Sequence, residues 1–273
     1  MAVTMADIQH LRKMTGAGMM DCKNALNEAG GDFDKAMEII RKKGQAVAAK
    51  REDREASEGC VLAKTEGNYA AVVALQCETD FVAKNEDYIA LTEEILDAAM
   101  VNKPETLDEL LALKVANGTV SEVVTDKMAA TGEKMEVGFY EHITAPYVIS
   151  YIHMGNKLAT IVGFNKEVAD EQVARDVAMQ IAAMNPIAIT AEGIPADVKE
   201  KELEIAREKA REAGKPENLL DRIAEGSLQK FYKESTLLQQ DYVKDPKKTI
   251  EQFLKENDKD LEVVSFKRVS LSV

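Results

Sequence analysis

The chain has 273 residues, a formal net charge of −13, a hydrophobic fraction of 45%, 5% aromatics and no tryptophan. This length suits two or three packed units, the charge disfavours general binding to nucleic-acid phosphates, and few aromatics are available for stacking bases or sugars. No apolar run is long enough to cross a bilayer, and residues 1–7 lack the basic-then-apolar order of a secretion signal. Cys22, Cys60 and Cys77 are odd in number and widely spaced, which fits reduced thiols in a cytoplasmic protein better than a disulfide framework.

Residues 1–50 read as a small helical bundle. Ile8, Leu11 and Met14 share a face of the first helix, which Thr15-Gly16-Ala17-Gly18 breaks. Asp21 is positioned to cap a second helix that ends at Gly30-Gly31. Asp32 caps a third, carrying Phe33, Ala36, Met37 and Ile40 inward. Residues 44–58 are small and charged and read as a helical or flexible linker. The β-branched, apolar run 69–75 reads as a buried strand, and residues 86–100 place Tyr88, Leu91, Ile95, Leu96 and Ala99 at helical spacing.

Between that strand and that helix lies Cys77-Glu78-Thr79-Asp80-Phe81-Val82. Two readings are open. In one, this is an ordinary corner: Thr79, Asp80 or Asn85 caps the helix and Phe81 folds into the core. In the other it is a rigid tip that offers a carboxylate and a phenyl ring to another protein.

The core carries a faint internal repeat. Gly67-Asn68 precedes the strand 69–75, and Gly155-Asn156 precedes 157–164. Each strand leads to a helix ending Ala-Ala-Met, at Met100 and Met184. Hairpin partners fall at 59–65 and 148–154, and later strands at 135–143 and 261–271. The second copy has a shorter joint without Thr-Asp-Phe. A turn needed only for folding belongs in both copies, so its presence in one favours a function for the tip. Residues 196–212 are strongly helical by propensity. After Gly214-Lys215-Pro216 a second stripe of Leu219, Leu220, Ile223, Ala224, Leu228, Phe231 and Tyr232 completes an antiparallel helical hairpin.

Motifs for small-molecule chemistry are weak. Gly16-Ala17-Gly18 follows no strand, and neither Thr131-Gly132-Glu133-Lys134 nor Gly214-Lys215-Pro216 fits a phosphate loop. His10, His142 and His153 are far apart, and no cysteine pair has zinc spacing. Met19-Met20, at a glycine-rich turn, either packs in the bundle or forms an adaptable binding surface. His153 reads by itself as a turn-proximal histidine.

Two motifs carry a family resemblance. The stretch Leu11-Arg12-Lys13-Met14-Thr15-Gly16-Ala17-Gly18-Met19-Met20-Asp21-Cys22-Lys23-Asn24-Ala25-Leu26 and the stretch Glu78-Thr79-Asp80-Phe81-Val82-Ala83-Lys84 resemble those of the bacterial elongation factor Ts family, in the family's order. Ala74 and Gln76 depart from its usual residues, on the strand before the tip. The resemblance implies an α+β fold: an N-terminal three-helix UBA-like bundle, two related α+β subdomains with small antiparallel sheets, and a projecting antiparallel helical hairpin. The regions expected are 1–54 (helical domain and linker), 55–143, and 144–273 with a coiled-coil hairpin at 196–240.

It also implies a cytoplasmic guanine-nucleotide exchange factor that binds the GTPase elongation factor Tu, without covalent chemistry, cofactor, metal, membrane or direct nucleic-acid contact. A homodimer of such heterodimers is compatible with it. Partner contacts fall by resemblance on Thr79, Asp80, Phe81, Val82, His153, Met19, Met20, Lys23 and Val243, with Asp80 and Phe81 entering between helices of the GTPase and disturbing its Mg²⁺ and β-phosphate site. The further C-terminal helical module of many family members is expected to be absent, with the last strand internally paired. A non-catalytic adaptor or chaperone-like binder is the alternative; a small α+β hydrolase or transferase is weaker.

Overall fold

The computed structural model describes residues 3–271. Its first three helices, α1 (Met5–Thr15), α2 (Met19–Glu28) and α3 (Phe33–Lys50), enclose a cluster of Ile8, Leu11, Cys22, Leu26, Ala36 and Ile40. Thr4 and Asp7 form a reciprocal capping box on α1, which stops at Gly16 in the left-handed conformation at φ +67°. Gly18, not Asp21, is the N-cap of α2; Asp21 sits inside the first turn, where its charge complements the helix N-terminus. Asp32 does cap α3, accepting from the Lys35 amide at 3.1 Å. The expected linker is helical as far as Lys50 and turns at 51–53.

Next come β1 (Glu58–Glu66), β2 (Tyr69–Cys77), the four-residue helix α4 (Asp80–Ala83), α5 (Glu86–Asn102), α6 (Leu107–Ala112), β3 (Lys114–Val115), β4 (Gly118–Thr119), α7 (Val120–Thr131) and β5 (Met135–Thr144). β1 and β2 pair antiparallel from Glu58 opposite Cys77 to Glu66 opposite Tyr69, around Gly67-Asn68. The sheet order is β1-β2-β5. α5 lies on it, burying Tyr88, Ile95, Leu96 and Ala99 against Cys60, Leu62, Val73 and Leu75. β2 is central and almost wholly buried, which is why its sequence is a continuous apolar run rather than an alternation.

The second half comprises β6 (Tyr147–Ile152), β7 (Leu158–Phe164), α8 (Glu171–Met184), α9 (Ala196–Glu212), α10 (Leu220–Ser235), β8 (Asp241–Tyr242), β9 (Asp245–Thr249), α11 (Ile250–Asn257) and β10 (Val263–Ser270). Its sheet runs β6-β7-β10, the same order of hairpin partner, centre and late strand as the first. The last strand, expected at 261–271 and observed at Val263–Ser270, is therefore internally paired. α8 buries Val173, Val177 and Ile181 against Val162, Phe164 and Val263. The helical hairpin of α9 and α10 ends at Ser235, short of the expected residue 240. β6 stops at Ile152, leaving His153 and Met154 in the turn rather than the strand. β3, β4, β8, β9, α6, α7 and α11 have no counterpart in the elements expected from the sequence; most are too short to show a period.

The chain divides into two compact units: 1–142 with 152–159 and 269–273, and 143–151 with 160–268. Within the first, α3 packs along α7. Arg41 pairs with Glu122 at 3.2 Å, and Gly44 lies so close that an added Cβ would stand 2.8 Å from the Thr125 carbonyl oxygen. Helix propensity alone would favour replacing this glycine. Gly44→Val is nevertheless expected to destabilise the protein by about 1–3 kcal/mol through overpacking. Thermal unfolding should fall by several degrees, and an unchanged or raised midpoint would show that α3 and α7 are not held this close.

Candidate functional site

The end of β2 is pinned before the chain turns. The Tyr88 hydroxyl of α5 donates to the Leu75 carbonyl at 2.7 Å, and the Cys77 thiol donates to the Thr79 carbonyl at 3.2 Å. Thr79 then caps α4, its hydroxyl accepting from the Val82 amide at 3.5 Å. Asn85 caps α5, accepting from the Asp87 amide at 2.9 Å. Both capping residues are among those expected from sequence, but each serves its own helix.

In the single turn of α4, Ala83 is buried and Val82 packs on the core, so Phe81 faces outward. It is 85% exposed. The Phe81 side chain is therefore not a core residue, and the ordinary-corner reading does not hold for it. Asp80 stands beside it, and the Lys84 ammonium, bonded at 2.6 Å, holds its carboxyl below the usual aspartate value; the Lys157 charge adds to this.

Lys157 marks a second loop at the same place. The turn between β6 and β7 is fastened to β1, the Val61 amide donating to the Asn156 carbonyl at 2.7 Å, with Lys157 Nζ 2.7 Å from Glu58 Oε2. His153 and Met154 sit on this turn; His153 is exposed and Met154 is 90% exposed. Gly155 and Asn156, at φ +92° and +53°, supply the left-handed conformations that the turn needs. The tip and the His153 turn thus belong to the same unit. Met154 was not singled out from sequence; an apolar side chain next to Gly-Asn in a tight turn was the available signal.

Met19, Met20 and Lys23 lie on α2, which packs on α1 and α3. All three are exposed, so the two methionines do not pack into the bundle. Val243 lies in the other unit, in the bend between β8 and β9, also exposed. Its position is set from α8. Gln180 accepts from the Val243 amide at 2.9 Å, and Asp176 receives the Tyr242 hydroxyl and, at 2.6 Å, the Lys244 ammonium. Tyr242 stacks on Phe253 at 4.4 Å between centroids. Asp176 and Gln180 are buried polar residues one turn apart on α8, and nothing local in the sequence sets them apart from the solvent-facing residues of an amphipathic helix.

Among the described residues no group of three or more His, Cys, Asp or Glu could hold a metal ion, and no helix is long and apolar enough to cross a membrane. An open groove of about 670 Å³, lined in part by Arg12, Lys13, Asp87, Glu94, Asp126 and Lys127, mixes both charge signs, and none of residues 78–82 lines it. Cys22, Cys60 and Cys77 are free and buried; burial pushes the Cys60 thiol up to about 11, so it is protonated at neutral pH.

The fold and its surface elements define an α+β protein that combines a three-helix bundle, two sheet-and-helix halves and a helical hairpin, with an apolar tip on a capped corner. The family described as "Elongation factor TS" matches residues 78–272. Elongation factor Ts of Porphyromonas gingivalis is 63% identical over 273 residues, covering all of this chain and 99% of the other. That of Azobacteroides pseudotrichonymphae is 56% identical over the whole of both chains, and that of Parabacteroides distasonis 48% identical over 99% of each. The chain belongs to the elongation factor Ts family, and with it to the apparatus of translation elongation.

The Asp176 network gives a prediction. Burial alone would raise this carboxyl, but the bonds from Lys244, Tyr242 and Gln172 outweigh it and hold it below the ordinary value. A folded-state value below the unfolded one means that the stabilisation is complete at neutral pH. It declines as pH falls below about 4 and is lost through the folded-state value. Asp176→Ala is expected to cost about 2 kcal/mol at pH 7, and less as the pH approaches 3. Thermal unfolding of both proteins across that range checks it; a difference that grows in acid would contradict the assignment.

Proposed function

We propose that the chain is a cytoplasmic guanine-nucleotide exchange factor that binds elongation factor Tu and promotes GDP release. The observation that carries this reading is Phe81, an apolar ring left in solvent on a corner whose backbone is already capped. Ring and carboxylate are presented together, so entry into a partner's pocket needs little ordering of the tip. Thr79, Asp80, Phe81, Val82 and His153 form the part that perturbs the nucleotide site, with Asp80 and Phe81 entering between helices of the GTPase. Met19, Met20 and Lys23 on the bundle and Val243 on the β8–β9 bend supply further contacts.

The mechanism is a coupling of binding free energies. By whatever factor the docked tip weakens GDP, GDP weakens the docked factor. No covalent step is involved; interface contacts replace contacts between the GTPase, its Mg²⁺ and the β-phosphate, and GTP binding then releases the factor.

Elongation factor Tu loaded with fluorescent GDP tests the reading. Sub-stoichiometric amounts of the chain should accelerate release; binding without acceleration would mean an adaptor. An aromatic anchor in a closed pocket is worth on the order of 2 kcal/mol or more, and about 1.4 kcal/mol is tenfold. Phe81→Ala should therefore slow release at least tenfold at limiting factor. Because the ring is exposed, the melting temperature of the free variant should stay within a degree or two of the parent. Undiminished release by Phe81→Ala would remove the tip from the mechanism.

A further inference from the structure

The corner that presents Phe81 is held by two carboxylates from neighbouring strands of chain, crossed over each other. Glu133, in the loop between α7 and β5, accepts from the Thr79 amide at 3.1 Å through one oxygen and from the Thr79 hydroxyl at 2.7 Å through the other. Glu78, next to Thr79, accepts in return from the Lys134 amide at 2.6 Å, and from Arg51 at 2.6 Å just beyond the end of α3. Lys134 then reaches the linker, donating to the carbonyls of Glu52 and Arg54 at 3.0 Å each. Two adjacent residues of the tip are thus cross-tied to two adjacent residues of another loop.

The consequence falls on α4. A four-residue helix does not hold its own geometry, because nucleation fixes more dihedrals than its few hydrogen bonds repay. Here its start is set by Thr79, whose hydroxyl donates to Glu133 and so has its lone pairs turned toward the Val82 amide. We infer that Glu133 is a positioning residue for the exchange tip: by orienting Thr79 from a separate loop it fixes the direction in which Phe81 leaves the corner. Glu78 braces the same corner to the linker behind the N-terminal bundle. This inference rests on the exchange-factor reading above.

The test is a double-mutant cycle between Glu133 and Phe81, read as GDP release from elongation factor Tu at saturating factor. A displacement of about 1 Å at a positioned group costs up to about 10²-fold, and Glu133→Ala should lower the maximal release rate about tenfold. The factor concentration at half-maximal rate should move less, since the contacts on α2 and at Val243 are untouched. In the Phe81→Ala background Glu133→Ala should bring no further loss, because residues acting as one unit are non-additive. Glu133→Gln, whose single carbonyl oxygen can accept from only one of the two Thr79 donors, should recover part of the rate. Amide hydrogen exchange at Val82 in the free protein should quicken in Glu133→Ala alone.

Release by Glu133→Ala equal to that of the parent, or a loss that adds in full to that of Phe81→Ala, would overturn the inference. If Glu133→Ala does not fold, Thr79→Val takes its place in the same cycle, with the same outcomes deciding. Normal release by Phe81→Ala would remove the tip, and Glu133 with it, from the mechanism, whereas failure of the parent chain to accelerate release would instead sink the exchange reading on which this inference rests.

Discussion

Burial of β2 is the constraint from which the site follows. This strand is central in its sheet and covered along nearly its whole length, so the chain must leave it abruptly and cross to α5, which covers the sheet. Tyr88 bonds the α5 end of that crossing to Leu75 of the strand. Between the end of β2 and the start of α5 the chain has only residues 78–85, too few to wander. The amides of Thr79, Val82, Ala83, Lys84 and Asn85 are committed to a carboxylate, a cap or the turn of α4, and the side chain that the geometry turns away from the core is that of Phe81. Burying a phenylalanine stabilises a fold by roughly 1.5–3 kcal/mol. This protein forgoes most of that at a corner whose backbone is tied down by caps and a carboxylate.

Polar groups perform the corresponding work at the tip and at the bend bearing Val243. Glu78 and Glu133 hold the tip, and Asp176 and Gln180 hold the bend bearing Val243. Buried or half-buried carboxylates with two or three donors each are directional, so they specify one geometry where apolar packing would permit several. The exposed apolar side chain and its polar support come from different parts of the sequence, 54 residues apart for Thr79 and Glu133 and 63 for Val243 and Gln180. That separation explains much of what sequence reading could and could not find.

The helices of the bundle, the hairpin of each half and the presence of a later strand in each were legible, because their signals are local: glycine and asparagine at turns, apolar runs in buried strands, caps before helices. The tip was legible as a motif, and its absence from the second copy pointed toward function. What stayed hidden is non-local. Asp176 and Gln180 look like solvent-facing residues of an amphipathic helix until β8 and β9 are laid against them. Glu133 looks like one acid among many in a chain with 48 Asp and Glu. Capping was misassigned at α2 because Asp21 has the right chemistry one turn too late, while Gly18 serves by conformation alone.

The second half provides an internal comparison for the corner. Its central strand β7 also ends at a helix, with Asp170 capping α8 through the Gln172 amide at 2.9 Å. Its joint, though, is spent on the fold itself: the Asn165 amide group donates to the Asp260 carbonyl at 2.9 Å and its oxygen accepts from the Glu262 amide at 2.9 Å, fastening the approach to β10. The same architectural position therefore ties down the chain in one half and presents a ring to solvent in the other. Sheet order and helix placement leave the joint free to differ, because neither depends on what the intervening side chains do once strand and helix are anchored. Divergence of two copies at the joint, with the strand order kept, is how a repeat can gain a binding element without giving up its core.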